Sequence, residues 1–108
     1  MKYMLMICVD EALEVSPEES DVEPWLAEMS RRGIWLQGEE LRGVETARTV
    51  RVRGGQIVVS DGPFAETKEQ MAGYDLIECA SLDEALEVAA KHPVAKFGSV
   101  EVRPFTAQ

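Results

Sequence analysis

Four ionisable side chains, Asp61, Glu66, Lys68 and Glu69, fall within the run Asp61-Gly62-Pro63-Phe64-Ala65-Glu66-Thr67-Lys68-Glu69, the densest cluster of potential chemistry in the chain. Asp61, at the end of an apolar segment, suits a carboxylate base or a hydrogen-bond anchor for a ligand. The same Asp-Gly-Pro sequence also makes a plain turn, with Asp bonding its own backbone and Gly62 supplying a positive φ. Lys68 can orient Asp61 or Glu66 by pairing with it, or offer a cation to a ligand carboxylate or phosphate. As a nucleophile it would need desolvation to lower its pKa. With Glu66 and Glu69 it fits a solvated charge cluster equally well. Phe64 reads as the hydrophobic anchor of the loop, with stacking on a ligand as the alternative.

Residues outside the run complete the candidate site. Tyr74, on the strand leaving the loop, is either core or a cleft donor, because a buried hydroxyl needs a partner. Glu39 follows Gly38, which permits close backbone approach. Arg103, beside Pro104, suits an ion pair across a sheet. The candidate catalytic residues are therefore Asp61 and Lys68, and the candidate ligand-binding residues Glu39, Phe64, Glu66, Tyr74 and Arg103. His92 reads as a charge partner for a helix C-terminus. Nothing matches a nucleophile elbow, phosphate loop or dinucleotide fingerprint. One His and two distant Cys do not make a zinc site, and Asp61, Glu66 and Glu69 lack the calcium-loop spacing. No metal and no cofactor are expected.

The 108 residues fit a single domain, 1–108, with 45% hydrophobic content and a net charge of -9. Such an acidic chain is a poor match for a phosphate backbone, so direct nucleic-acid binding is not expected. The charge is uneven. Residues 1–30 hold eight acids and one base, residues 31–53 six bases and three acids, and residues 54–108 nine acids and four bases. The start, Lys2 to Val9, superficially resembles a secretory signal, but Asp10 and Glu11 follow at once without a cleavage pattern. No segment approaches a membrane span. Cys8 and Cys79, far apart in apolar contexts, suit reduced thiols in the cytoplasm.

The elements that must position these side chains follow from periodicity. Residues 2–9 are apolar at both parities, as in a strand covered on both faces. Val22, Trp25, Leu26 and Met29 have helical spacing, with Pro24 tolerable in the first turn and Gly33 as a stop, which predicts a helix over 22–32. A strand follows from Ile34 to Leu41. Thr49 to Arg53, Gly54-Gly55 and Gln56 to Val59 predict a hairpin on a primed two-residue turn, pairing Val52 with Ile57 and Val50 with Val59, with Arg53 opposite Gln56. A strand at 72–79 comes next, then a capping box at Ser81 to Glu84 opening a helix with the apolar stripe Leu82, Ala85, Leu86, Ala89. Pro93 ends that helix, and a last strand spans 99–105. Two strand-helix-strand halves predict an α+β, ferredoxin-like sandwich with an extended central β-hairpin. Two helices cover one sheet face, so the other is expected to pack on a second copy.

The run DGPFAETKE, with Gly73-Tyr74, Leu76-Ile77-Glu78, Ser81-Leu82-Asp83-Glu84-Ala85 and Glu101-Val102-Arg103-Pro104, resembles the DGPF branch of the YCII-related proteins. The resemblance spans nearly the whole chain. It implies a homodimer closing as a dimeric α/β barrel. Members of the wider group have been proposed to be enzymes through a His and Asp pair near a cleft, and DGPF proteins are often encoded beside, or fused to, extracytoplasmic-function sigma factors. The only His here, His92, sits at a helix end, and such a pair has no visible counterpart in the sequence. Two classes stay open, enzyme or not: a cofactor-free protein that binds or transforms a small molecule beside the 61–69 loop, and a regulatory module for a sigma-factor partner.

Overall fold

An eight-residue strand that is apolar on both faces calls for cover on both, and β1 (Lys2–Val9) is buried on one face and half-buried on the other. In the computed structural model, which describes residues 1–108, β1 lies between β5 (Gln70–Glu78) and β6 (Ser99–Pro104), antiparallel to both. β2 (Trp35–Glu40) pairs antiparallel with β5, giving the order β2-β5-β1-β6. Helices α1 (Glu23–Arg31) and α2 (Leu82–Ala90) connect β1 to β2 and β5 to β6. The result is an α+β architecture with an antiparallel sheet and two helices, compatible with a ferredoxin-like fold.

Tyr3, Leu5 and Ile7 of β1 point to the helices and are buried with Trp25, Met29, Ile34, Ile77, Ala85 and Val88. Met4, Met6 and Cys8 occupy the other face, half-buried. α1 begins one residue later than the periodicity predicts, at Glu23, and Gly33 ends it at φ +71°. α2 opens on the expected cap: Ser81 Oγ accepts the Glu84 N–H at 3.2 Å, while the Glu84 carboxylate accepts the Ala80 N–H at 2.8 Å. Its buried stripe differs from expectation. Ala85, Val88 and Ala89 face the core, whereas Leu82 and Leu86 are exposed. The small residues let α2 lie close to Trp25, whose indole N–H donates to the Val88 carbonyl at 2.9 Å.

The remaining strands, β3 (Arg48–Arg53) and β4 (Gln56–Asp61), form a separate two-stranded ribbon in the expected register, Val52 opposite Ile57 and Val50 opposite Val59. Gly54 and Gly55 have φ +54° and +76°, as a primed turn with two left-handed central residues requires. The ribbon stands away from the body. The radius of gyration, 15.7 Å, exceeds the about 13 Å of a compact 100-residue domain. One ribbon face, Val50, Val52, Ile57 and Val59, is uncovered, each residue being 59–74% exposed.

Candidate functional site

The 61–69 loop belongs to the base of this ribbon. Gly62, at φ +95°, donates its N–H to the Ala47 carbonyl at 2.9 Å, and Thr49 Oγ1 donates to the Gly62 carbonyl at 2.9 Å. Asp61 is paired with Arg48 Nε at 3.1 Å, its side chain 91% exposed. Phe64 does not anchor the loop. It is 80% exposed, with the Arg51 guanidinium 5.5 Å from its ring centroid. The Gln70 side-chain amide does the anchoring instead, donating to the carbonyls of Ala65 at 3.0 Å and Thr67 at 2.8 Å. Glu66 and Lys68 are exposed. Arg103 pairs with Glu101 of its own strand rather than with an acid on a neighbouring one.

An apolar cavity lies elsewhere, on the helix side of the sheet, and has a volume of about 360 Å³. Ile7, Val9 and Trp35 line it from the sheet, Val22 and Leu26 from the α1 segment, and Val94 and Phe97 from the turn after α2. Two of the sequence candidates, Glu39 and Tyr74, border it; Asp61, Phe64, Glu66, Lys68 and Arg103 do not. Tyr74 pairs with Met6 and Glu39, and this register assigns its side chain to the sheet face opposite that of Asp75.

Beside Ser20, Glu39, Glu40 and Tyr74, the polar residues lining the cavity are Asp75 and His92, neither of which the sequence singles out as chemistry. Asp75 stands in β5 opposite Leu5, on the core face. Its Oδ1 accepts the Trp35 indole N–H at 2.9 Å. A bulge in β2 makes this contact: Trp35 pairs with Ile77 and Gln37 with Leu76, so Leu36 is left over and Trp35 and Gly38 share one face. Gly38 clears the space. A Cβ there would lie 2.2 Å from Asp75 Oδ1 and 2.6 Å from the Tyr74 carbonyl oxygen. Gly38→Ala is therefore expected to part β2 from β5, costing about 1–3 kcal/mol and shifting the Trp35 indole signal in ¹H–¹⁵N spectra. An unmoved indole resonance would count against this packing.

His92 is 4% exposed, not a solvated partner for the end of α2. It caps the 3₁₀ turn Pro93–Lys96, where its Nδ1 accepts the Val94 N–H at 3.1 Å. That bond requires a lone pair on Nδ1, which puts the imidazole proton on Nε2. Nε2 faces Asp75 Oδ2 at 3.9 Å, and the ring packs edge-on against Trp25 with centroids 4.8 Å apart. Burial pushes His92 from its ordinary 6.5 down to about 4. It pushes Asp75 upward, against the Trp35 hydrogen bond, which holds the carboxylate form. A neutral imidazole and a carboxyl group thus stand side by side, the carboxylate able to accept and return a proton and the imidazole able to donate a hydrogen bond from Nε2.

The chain matches the YCII-related domain over residues 1–107. It belongs to the YCII-related family. A relative, an uncharacterised protein of Rhizobium meliloti (strain 1021), is 57% identical over 60 residues, which is 54% of this chain and 48% of the relative. The match therefore spans about half the length of that relative. In this YCII-related domain His92 and Asp75, separated by a strand end and a whole helix in the sequence, lie side by side in space. Neither thiol lines the cavity. Cys8 is raised by burial and by the nearby Glu101 and Glu69, Cys79 chiefly by burial, and both are free. No helix is long and apolar enough to cross a membrane.

Proposed function

We propose that this YCII-related domain binds a small, largely apolar molecule in the cavity beside β2 and β5, with Asp75 as the group that takes and returns a proton and the His92 Nε2–H as the donor that holds the molecule in place. One observation carries the reading: Asp75 Oδ2 and His92 Nε2 make no hydrogen bond, yet no buried side-chain nitrogen or oxygen lacks a partner, so both atoms keep access to the cavity. Their surroundings supply the shifted acid-base properties that such work needs. The 61–69 loop then serves chiefly to fix the ribbon, although Asp61 and Lys68 stay available to a ligand that reaches beyond the cavity. A fragment library screened by ¹H–¹⁵N spectra is expected to give hits that move the Trp35 indole signal and weaken in Asp75→Asn. Hits that move only ribbon resonances would overturn the reading.

The uncovered ribbon face favours a second proposal, a homodimer in which this face and the open sheet face, Met4, Met6 and Leu76, are covered by the partner copy. A lone two-stranded ribbon is marginal in water and gains from such cover. Replacing Ile57 by Lys is expected to convert the dimer to monomer in sedimentation velocity runs. A monomeric wild type would sink the idea, and would leave the same face to a partner protein such as an extracytoplasmic-function sigma factor. The free thiols support a cytoplasmic setting.

A further inference from the structure

The atoms that face the cavity are chemically specific. Asp75 Oδ2 offers an acceptor and wants a donor. His92 Nε2 carries the proton, because Nδ1 is occupied by the Val94 N–H, and therefore wants an acceptor. Their separation, 3.9 Å, is too long for a hydrogen bond between them. An oxygen placed to one side of the line joining them reaches both at about 2.8 Å. The His92 side chain is 5% exposed and that of Asp75 14%, so what reaches the two atoms reaches them through the cavity.

Charge narrows the choice. No Lys or Arg lines the cavity, while Glu39, Glu40 and Asp75 do. Glu40 pairs with Gly73 in the register that puts it on the same sheet face as Asp75. His92 adds no positive charge, since an imidazolium would need a proton on the nitrogen that accepts from Val94. A carboxylate or phosphate entering this space would meet acids and no cation.

Resting on the binding reading above, we infer that the cavity takes a neutral molecule with an apolar body and a hydroxyl group, the hydroxyl seated between Asp75 Oδ2 and His92 Nε2. The hydroxyl hydrogen is donated to Oδ2 while the oxygen accepts from the Nε2–H. An ammonium group supplies the donor but no acceptor, a ketone the acceptor but no donor, and a carboxylate lacks the donor and is repelled besides. Leaving either cavity atom unpaired on ligand entry costs affinity, because it loses its access to water without gaining a bond.

Four probes of similar size test this directly: benzyl alcohol, benzylamine, acetophenone and benzoate, each titrated against the full chain while the Trp35 indole signal is followed. Benzyl alcohol is expected to bind roughly tenfold more tightly than the other three, a difference of about 1.4 kcal/mol. In Asp75→Asn the carboxamide can still accept from Trp35, so the fold is kept, but its NH₂ faces the Nε2–H and the alcohol should lose that advantage. If another probe binds as well as the alcohol at the same indole signal, or if Asp75→Asn keeps the preference, the hydroxyl assignment falls while ligand binding in the cavity stands. If no probe moves the signal at millimolar concentration, the assignment and the binding reading fall together.

Discussion

Replacing Trp25 by Ala is expected to destabilise the fold by about 3–5 kcal/mol, a large share of the 5–15 kcal/mol typical of a domain. The side chain is 4% exposed at the seam between α1 and α2. Its removal leaves a void and also strips the Val88 carbonyl, close to the end of α2, of the indole N–H that it accepts at 2.9 Å. The Lys91 N–H also reaches this carbonyl, at 3.3 Å, so the indole supplies the shorter of the two bonds that it accepts. His92 loses the aromatic wall against which it packs edge-on. Trp25→Phe separates these contributions: it keeps a ring in the seam and loses the indole bond, for about 0.5–1.5 kcal/mol. Urea unfolding followed by circular dichroism reads both as lowered midpoints. Equal losses for the two variants would show that packing of the ring contributes little.

Where local chemistry decides the outcome, the residues announced the structure. The Gly54-Gly55 turn set the ribbon register to the residue, because a two-residue primed turn allows one pairing only. Ser81 and Glu84 marked the start of α2 because both ends of the capping box lie within a few residues of each other. The double apolar parity of β1 called for cover on both faces, and the helices supply it on one. The tertiary partners were less legible. His92 follows the last turn of α2, where a cation is favourable, and nothing local says that the chain then folds back to bury the ring under Trp25. Asp75, between Tyr74 and Leu76, drew no reading from the sequence. One signal was present: β5 is apolar or small on both parities, with Gly73 and Ile77 on the Asp75 side, so an acid in the middle of that strand had nowhere exposed to go. The bulge at Leu36, which turns Trp35 toward Asp75, leaves no mark in composition.

The 61–69 run attracted a chemical reading because its charges are close in sequence. In space they disperse. Asp61 turns to Arg48 on the ribbon, Glu69 accepts from Ser99 Oγ at 2.6 Å, and Phe64 lies under Arg51. Sequence proximity brings charges together only when the backbone between them is folded onto one face, and a Gly-Pro turn followed by an extended loop does the opposite. The cavity instead draws one polar residue from a central strand and one from the far end of a helix, the kind of juxtaposition that only the sheet order creates.

Acidification is expected to destabilise the fold through His92, and the sign follows from the direction of its shift. Burial holds the folded-state value near 4, against 6.5 for an exposed imidazole, so the unfolded chain takes up the proton first. The stabilisation is complete above pH 6.5 and is lost as pH falls toward 4, for about 3 kcal/mol in all. Asp75 acts in the opposite sense. Its folded value is raised, so the folded state gains relative to the unfolded chain as the carboxyl is protonated, and while ionised it favours a proton on His92 nearby. Wild type should therefore lose less than the full amount between pH 6.5 and 4, and Asp75→Asn, which removes the opposing group, should lose more. His92→Gln should show the flattest profile of the three across that window. Urea midpoints measured for all three at both ends of the window decide the matter. A His92→Gln profile as steep as wild type would mean that the acid sensitivity arises elsewhere, and that the imidazole is not held neutral by its burial.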